Sequence, residues 1–380
     1  EFMKSPDTLG IYLHIPFCLK KCLYCDFCSF PVEGGKDVRE AYCRELCRRM
    51  RNARALCSDR TVNTVYIGGG TPTLLPTDCF SMLFDTLRES FSLSPACEIS
   101  CECNPATADG VLLGHIRTLG VNRLSIGLQS MHANELAALG RLHSTADFLA
   151  VFSTARKVGF DNISVDLMYG IPEQSPESFA ATLDAVCALS PEHVSAYGLK
   201  IEENTPFFLR RNTLPLPDED AEFSMYRLCT DKLTAAGYAK YEISNFAKPG
   251  RECRHNLRYW QEEEYLGFGV AAHSCFGGER FGNSRDLAAF LAGEDITAER
   301  HRVGGEERIE ESVMLALRLT KGVDLSRFRQ DTGEDFFKRY PGVKQYVRWG
   351  YMTEREGHIS FTDKGFFVSN TILSEMLTLS

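Results

Sequence analysis

Short apolar runs alternate with longer stretches of helical periodicity through roughly the first half of the chain. The runs are rich in β-branched and aromatic residues, as strands are, and the stretches between them repeat apolar positions every three or four residues. Strands that alternate with helices predict a parallel sheet of right-handed βαβ units. Six strands predict an α/β fold, a partial (β/α)6 barrel, with its chemistry on the loops after the strands. The predicted strands are residues 9–17, 63–68, 97–102, 121–126, 162–168 and 193–197.

The pattern of apolar positions changes after the sixth strand. The whole chain therefore divides into a two-residue start and three segments. We interpret residues 1–2 as a cloning remnant before the first Met, and residues 3–240 as the barrel. Residues 241–300 read as a loop-rich insert. Residues 301–380 show short helices, two short strands and a last helix, which predicts a winged-helix-like α+β domain.

A winged-helix-like domain often binds DNA, but function does not follow from the fold. The helix predicted at 342–349 carries only Lys344 and Arg348 as basic residues, a thin footprint for nucleic acid. We therefore expect this domain to pack or to bind protein.

Composition narrows the class of protein further. The net charge of -9 argues against a general binder of nucleic acid or of anionic membranes, and 44% hydrophobic residues are typical of a globular protein. We find no apolar run long enough for a transmembrane segment and no signal peptide. The 15 cysteines lie in a long chain, many of them in apolar runs, which favours small buried side chains in a reducing cytoplasm.

Three cysteines follow the first predicted strand on one short loop: Cys18, Cys22 and Cys25. Three thiolates can hold a [4Fe–4S] cluster and leave one iron without a protein ligand, open to a small chelating cosubstrate. A zinc loop with its fourth ligand elsewhere, or unrelated buried thiols, would explain the same residues. The spacing alone leaves these alternatives open.

The spacing Cys-x3-Cys-x2-Cys resembles the signature of the radical S-adenosylmethionine (SAM) superfamily. Residues 12–27 are similar to the oxygen-independent coproporphyrinogen III oxidase family, and most similar to its haem chaperone branch. The resemblance implies that the cysteines hold the cluster and that SAM chelates the open iron. One electron, from a donor such as flavodoxin or ferredoxin, then cleaves SAM to methionine and a 5′-deoxyadenosyl radical. It also implies that Tyr12 and Tyr24 contact SAM.

Two further strand ends match positions that bind SAM in this family. Gly69, Gly70 and Thr71 follow the second strand and match the loop around the methionine end of SAM, although a tight βα turn would also use glycines. Glu102 ends the third strand in a Glu-Cys-Asn-Pro context that resembles the family's Glu-x-x-Pro. An isolated Glu is otherwise more often a surface carboxylate.

Three later polar residues match the same SAM-binding set: Gln129 after the fourth strand, Arg141, and Asp166 in the fifth strand. In the oxidase some of these positions serve a second SAM, so the resemblance implies no single role for them here. An ion pair between Arg141 and Asp166 is the structural alternative.

The run His255-Asn-Leu-Arg-Tyr259-Trp260 lies in the predicted insert. A His followed by aromatic residues can cap and stack on a planar macrocycle, and His and Cys are common haem ligands. The alternative is a histidine whose ring is satisfied within a polar loop. The run resembles a motif linked to haem binding in the haem chaperone branch, and Cys253 is a second candidate ligand.

One position departs from the oxidases, which have a fourth Cys two residues after the third. Phe27 stands there, and Cys28 is one residue out of register. The leading hypothesis is thus a haem chaperone that passes haem to acceptor apoproteins, with no catalytic residue named. The alternatives are the oxidative decarboxylation of coproporphyrinogen III and, third, DNA binding by the last domain.

Overall fold

The structure is a computed structural model that describes residues 7–31 and 35–377, so the interpretation of residues 1–2 lies outside it. All six predicted barrel strands are present as neighbours in one sheet. The first eight strands are β1 Thr8–Ile15, β2 Phe17–Cys18, β3 Phe30–Pro31, β4 Thr61–Gly69, β5 Ser92–Cys103, β6 Arg123–Gln129, β7 Ile163–Tyr169 and β8 His193–Gly198.

Helices follow the barrel strands as the periodicity predicts. They are α1 Gly35–Ala53, α2 Thr77–Ser90, α3 Gly110–Thr118, α4 Ala133–Ala138, α5 Thr145–Lys157, α6 Pro176–Leu189, α7 Pro206–Leu209 and α8 Glu219–Ala235, with 3-10 turns at Arg54–Cys57 and Pro72–Leu74. Several begin at side-chain caps: Ser144 and Ser175 form capping boxes on α5 and α6.

The parallel core runs in the order β1-β4-β5-β6-β7-β8, which confirms the partial (β/α)6 barrel. Leu9, Ile11, Leu13 and Ile15 of β1 are fully buried against the helices. Since side chains alternate along a strand, Tyr12 and His14 point the other way, into the barrel. A sheet buried on both faces is expected of parallel strands covered by helices.

The segment predicted as a loop-rich insert is instead regular structure, and that expectation was wrong. Its short strands extend the barrel sheet on both sides, so the predicted boundary at residue 240 cuts through one sheet. The elements are β9 Ala239–Lys240, β10 Asn245–Ala247, α9 Arg254–Trp260, β11 Tyr265–Phe268, β12 His273–Phe276, β13 Glu279–Asn283, α10 Leu287–Leu291 and β14 Thr297–Arg302. Most of these strands have only two to five residues, too few to show a clear period-two pattern, which is why they read as loops.

The last segment has its own core around Leu317, Val343 and Ile359. The predicted hairpin is present, and a third short strand joins it. The elements are α11 Gly305–Arg318, β15 Val323–Asp324, α12 Leu325–Thr332, α13 Phe336–Arg339, α14 Val343–Arg348, β16 Met352–Arg355, β17 His358–Phe361, α15 Asp363–Phe367 and α16 Ser369–Met376. Among the described helices, none combines the length and apolar character that a membrane crossing requires.

Candidate functional site

The cysteine loop lies at the carboxyl end of β1 and is held from both sides. Leu23 donates its amide to the carbonyl of Leu139 (3.1 Å) and accepts the amide of Phe207 at its carbonyl (3.0 Å). On the barrel side, His14 donates from Nε2 to the carbonyl of Cys28 (2.8 Å). Burial lowers the pKa of His14, so the ring is neutral and its Nδ1 accepts from the Tyr12 hydroxyl (3.0 Å). The loop is therefore fixed to the barrel.

The three predicted cluster ligands are partly buried thiols with polar donors beside them. Arg141 donates from Nη1 to Cys22 Sγ (3.6 Å), and the Thr71 hydroxyl donates to Cys18 Sγ (3.5 Å). Burial raises the pKa of Cys25 to about 11. A metal would therefore have to displace a proton from Cys25. The donors Arg141 and Thr71 would stabilise the negative charge on the sulfur atoms of Cys22 and Cys18.

The donor set fits a [4Fe–4S] cluster. Within residues 7–31 and 35–377, no three His, Cys, Asp or Glu side chains converge as ligands of one metal ion. A cubane makes a different demand, because each thiolate binds a different iron. One loop carrying three thiols meets that demand and provides no fourth cysteine in register.

The glycine turn after β4 is required first by the protein's own packing. A side chain at Gly70 would come within 2.7 Å of the Phe17 carbonyl oxygen, and Gly69 has a φ of +110°, which favours glycine. Thr71 is buried and its amide donates to the Phe17 carbonyl (2.7 Å). The turn thus joins β4 to the start of the cysteine loop, as the tight-turn interpretation expects, and the binding role of these residues stays a prediction.

Glu102 is aimed into the barrel at this turn. Its carboxylate accepts the Gly69 amide (3.0 Å) and the Tyr66 hydroxyl (3.1 Å). The pKa of Glu102 is raised to about 7, mainly by burial and next by the nearby Asp166. The surface-carboxylate alternative is therefore wrong. A cationic amine placed here would favour the ionised form.

Gln129 and Arg141 each keep a buried polar atom without a hydrogen-bond partner in the described chain, at Oε1 and Nε respectively. Gln129 ends β6 with a φ of +64°, beside a β-bulge. The other end of Arg141 donates from Nη2 to the carbonyl of Gly127 (3.1 Å). Buried polar atoms are normally paired, so these two are the best-placed groups for an absent ligand.

The predicted alternative of an Arg141–Asp166 ion pair is wrong, because Arg141 is engaged with Gly127 and Cys22. The Ser125 hydroxyl instead donates to the Asp166 carboxylate and is shared between its two oxygens (3.0 and 2.9 Å). The Ser164 hydroxyl donates to Oδ1 of the same carboxylate (3.3 Å). Burial raises the pKa of Asp166. Asp166 and Glu102 are therefore two carboxyls that face one interior.

Tyr12 and Tyr24 lie on different sides of the cysteine loop. Tyr12 lies inside the barrel, with its ring centroid 6.2 Å from that of Tyr66. Tyr24 belongs to the loop itself, 6.5 Å from the Phe207 ring. Burial raises the pKa of both hydroxyls, so both remain neutral. His14 and Tyr66, which our sequence reasoning missed, hold this arrangement, and the alternation of inward positions along β1 and β4 would have found them.

His255 lies on helix α9, towards the amino end of the barrel interior, with its ring centroid 5.4 Å from that of Tyr66 and 6.5 Å from that of Tyr12. It is fully buried, and its ring exchanges hydrogen bonds with Thr64 Oγ1 at Nδ1 and with the Tyr259 hydroxyl at Nε2, both 2.9 Å. The pKa of His255 is lowered to about 3, mainly by burial. Both ring nitrogens of His255 are thus hydrogen-bonded. This is the alternative to haem binding that the sequence left open, except that the histidine lies in a helix and not in a loop.

Cys253, the second candidate haem ligand, is also fully buried at this end. Its Sγ lies 3.8 Å from Glu98 Oε1, and burial raises its pKa to about 12. Glu98 accepts the backbone amides of Arg254 and His255 at 3.1 Å each, which fixes the start of α9. Cys253 is therefore one of the buried side chains, with His255 and Glu98, that fill the amino end of the barrel.

Trp260, the last residue of the motif, is the exception. It is only partly buried and lines a cavity of about 540 Å³ between α9 and the C-terminal domain. The motif therefore divides between His255, which is fully buried, and its two aromatic residues Tyr259 and Trp260, which are partly exposed.

Comparison with known proteins identifies the class of this chain. Residues 12–186 match the model of the radical SAM superfamily, and residues 304–368 match that of the HemN C-terminal domain. The solved structure of coproporphyrinogen III oxidase (HemN) from Escherichia coli, described as a radical SAM enzyme, superposes with a TM-score of 0.86 at 26% identity, covering 99% of this chain and 92% of that one. The fold and the cysteine loop thus define a radical SAM protein, a class that implies a [4Fe–4S] cluster and SAM.

Relatives among curated proteins narrow this class. The haem chaperone HemW of Bacillus subtilis is 36% identical over 96% of this chain and 98% of its own length. The haem chaperone HemW of Escherichia coli is 35% identical over 99% of this chain and 100% of its own length. The chain belongs to the family of these HemW proteins.

Proposed function

We propose that the chain is a haem chaperone, which binds haem and transfers it to acceptor apoproteins. The observation that carries this proposal is the match along nearly the whole chain to proteins named haem chaperone HemW, from the cysteine loop to the last domain. Phe27 supports it from the site: an exposed phenylalanine, 69% accessible, stands where the oxidases have their fourth cysteine.

In this proposal Cys18, Cys22 and Cys25 hold a [4Fe–4S] cluster and SAM lies over the barrel's carboxyl end. When bound, the pair supplies one-electron chemistry at the sulfonium of SAM. The chain's own residues bind and orient: Glu102 takes the amine or the ribose hydroxyls, and the free atoms of Gln129 and Arg141 take polar groups of SAM. The remaining proposed SAM contacts are Tyr12, Tyr24, Gly69, Gly70, Thr71 and Asp166.

The proposal also fixes the kinds of partner. Haem is the cargo, haem-free apoproteins are the acceptors, and a small electron carrier such as flavodoxin or ferredoxin reduces the cluster. Nucleic acid is not a partner, and the compartment is the cytoplasm. The net charge of -9 and the 15 cysteines, none of them in a disulfide, support the last two statements.

The decisive experiment is anaerobic reconstitution with iron and sulfide, then titration with haem and SAM. We expect one haem per chain and transfer of that haem to an apo-acceptor, with transfer dependent on the cluster. The matched control is the same protein without iron and sulfide. A reconstituted protein that binds no haem under reducing conditions would contradict the proposal.

Decarboxylation of coproporphyrinogen III is the second candidate, because the oxidase structure superposes over nearly the whole chain. It would need SAM turnover on two propionates. Sustained formation of vinyl product from coproporphyrinogen III, SAM and reductant under anaerobic conditions would favour this candidate over the chaperone.

A further inference from the structure

Large apolar side chains are exposed on the cysteine loop and on the short segments that hold it. Half of the exposed large apolar side chains of the described residues lie here, and they are Leu19 and Phe27 in the loop, Leu142, and Leu209 and Leu216 in and after α7. The most exposed of them is Leu209, which is 82% accessible. Exposed apolar side chains that cluster in this way mark a surface for another molecule.

These segments form one surface because they pack on one another. The amide of Phe207 in α7 donates to the carbonyl of Leu23 in the loop (3.0 Å). A side chain at Gly140 would lie 2.9 Å from Cγ of the same leucine, so this segment also touches the loop. Leu209 and Leu142 each follow one of these contacts by two residues. They therefore lie beside the loop at the protein surface.

The same surface is basic, although the whole chain carries a net charge of -9. Residues 18–28 and 199–216 contain five basic side chains and three acidic ones. Asp26 lies 3.8 Å from Arg285, and Glu202 lies 2.7 Å from Lys200, so two of the three acids have basic partners. The cations that form no ion pair with any described residue are Lys20, Lys21, Arg210 and Arg211. Unpaired cations around exposed apolar side chains complement an acidic protein surface.

The position of this surface indicates what its partner does. The three proposed cluster ligands lie on this loop, whereas the proposed SAM contacts Glu102 and Tyr12 lie inside the barrel. A protein seated on the outer face of the loop therefore approaches the cluster without displacing SAM. Electron transfer between proteins requires that close approach.

We propose that this surface docks an acidic one-electron carrier protein, with carboxylates of the carrier against Lys20 and Arg210 and an apolar contact at Leu209. One electron passes from the reduced carrier to the cluster, the carrier is oxidised by one electron, and no bond forms or breaks. The inference rests on the proposed function, which requires such a carrier, and deepens it by assigning the surface that receives the carrier.

Charge reversal in the reconstituted protein tests the docking surface. The variant Lys20→Glu/Arg210→Glu is compared with Lys344→Glu/Arg348→Glu, which makes the same change of charge at exposed residues of α14. Calorimetric titration with flavodoxin, an acidic carrier, measures binding. We expect the first variant to bind roughly tenfold more weakly, or worse, and to lose the salt dependence of the parent protein. The second should bind as the parent does. Equal losses, no loss in the first variant, or a parent with no measurable affinity would overturn the proposal.

The rate of cluster reduction separates docking from damage to the cluster. Photoreduced deazaflavin is a small reductant that needs no docking surface. We expect Lys20→Glu/Arg210→Glu to keep the iron content of the parent and its rate with deazaflavin, but to be reduced more slowly by flavodoxin. Equal slowing with both reductants would place the effect on the cluster and overturn the charge assignment.

The apolar part of the surface has its own test. Leu209→Ser should weaken flavodoxin binding several-fold, because an exposed contact is lost from the interface. Val111→Ser, at a residue of α3 that is 76% accessible, is the matched control and should change nothing. Equal affinity of the two variants would remove Leu209 from the interface.

None of these measurements contains haem, so their failure leaves the proposed haem binding standing. A protein that binds no haem, in turn, would contradict the proposed function while its flavodoxin titration still tests this surface. Charge reversal that spares flavodoxin binding but blocks haem transfer to an apo-acceptor would assign the surface to the acceptor and overturn the carrier.

Discussion

The two ends of the barrel each carry a short sequence motif, the cysteine loop at one end and the His255 motif at the other. They differ in whether their polar atoms have hydrogen-bond partners. At the carboxyl end the cysteine loop is partly exposed, and Gln129 and Arg141 keep polar atoms unpaired. At the amino end the ring of His255 has both nitrogens bonded and no exposed surface. One end is left chemically open and the other is closed.

The difference teaches that a motif's chemistry depends on which of its atoms the fold leaves without partners. A buried polar group that has its hydrogen bonds contributes to stability, and one that lacks them costs free energy unless a ligand supplies them. By this criterion Gln129 and Arg141, which we propose as SAM contacts, have polar atoms available for a ligand, and His255 does not. The following changes should separate the two ends, from the largest effect to the smallest.

Replacing Cys22 with Ser should abolish the cluster, because two thiolates on one loop do not hold a cubane firmly. Iron and sulfide content should fall to background, and SAM cleavage should be lost with them. The matched control is Cys28→Ser, a buried thiol of the same loop, which should keep its cluster. Loss of the cluster in both variants would show that Cys28 is a ligand and that our register is wrong.

Replacing Glu102 with Gln should weaken SAM binding by roughly 10- to 100-fold, the usual cost of losing a hydrogen bond to a charged group. The cluster should remain, since the carboxylate of Glu102 bonds to Gly69 and Tyr66, neither of which is a proposed cluster ligand. Equilibrium binding of SAM to the reconstituted protein measures the effect. An unchanged affinity would remove Glu102 from the SAM site.

Replacing His255 with Ala should cost about 2–4 kcal/mol in the free energy of unfolding, from the lost packing and the two stranded hydrogen-bond partners. Denaturant unfolding measures this, with Tyr259→Phe as a control that removes only the hydrogen bond to Nε2, at lower cost. Haem absorption should stay that of the parent protein. A changed Soret band with unchanged stability would return His255 to the haem site.

The free energy of unfolding should depend on pH through the two buried carboxyl groups of Glu102 and Glu242. The pKa values of Glu102 and Glu242 are each raised to about 7, mainly by burial, so the folded state binds these protons more tightly than the unfolded one. Stability should therefore fall as pH rises from about 4 to above 7, by about 1–3 kcal/mol per group.

The Gln variants at the two positions serve as each other's control. Both Glu102→Gln and Glu242→Gln should flatten this decline in the apoprotein, and only the first should impair SAM binding. A decline as steep in both variants as in the parent protein would mean that neither carboxyl is protonated in the folded state.

The barrel was predictable because its strands are long, apolar and regularly spaced with helices. The extra strands were not, because β9 and β10 are two and three residues long and β11 and β13 each contain a glycine. Their pairing with β1 and β8 depends on residues far away in sequence, which no local pattern records.

The candidate site was predictable at its motif residues and not at their supports. Resemblance supplied Cys18, Glu102 and Gln129, whose positions at strand ends the fold brings together. The burial of His255 depends on Thr64 and Glu98, which belong to other strands and show no pattern with the motif. Polar residues beside aromatic ones look alike in sequence whether they line a pocket or fill a core.

The pairing of β1 with β11 has a consequence for synthesis. Gly10 lies opposite Tyr265, so one edge of the first strand lacks its neighbour until most of the chain has left the ribosome. At ~5–20 residues per second that interval lasts on the order of ten seconds or more. Throughout it, the strand that leads into the cysteine loop is an open edge, able to pair with other chains. A nascent chain is thus most exposed to aggregation before β11 to β14 cover this edge of β1.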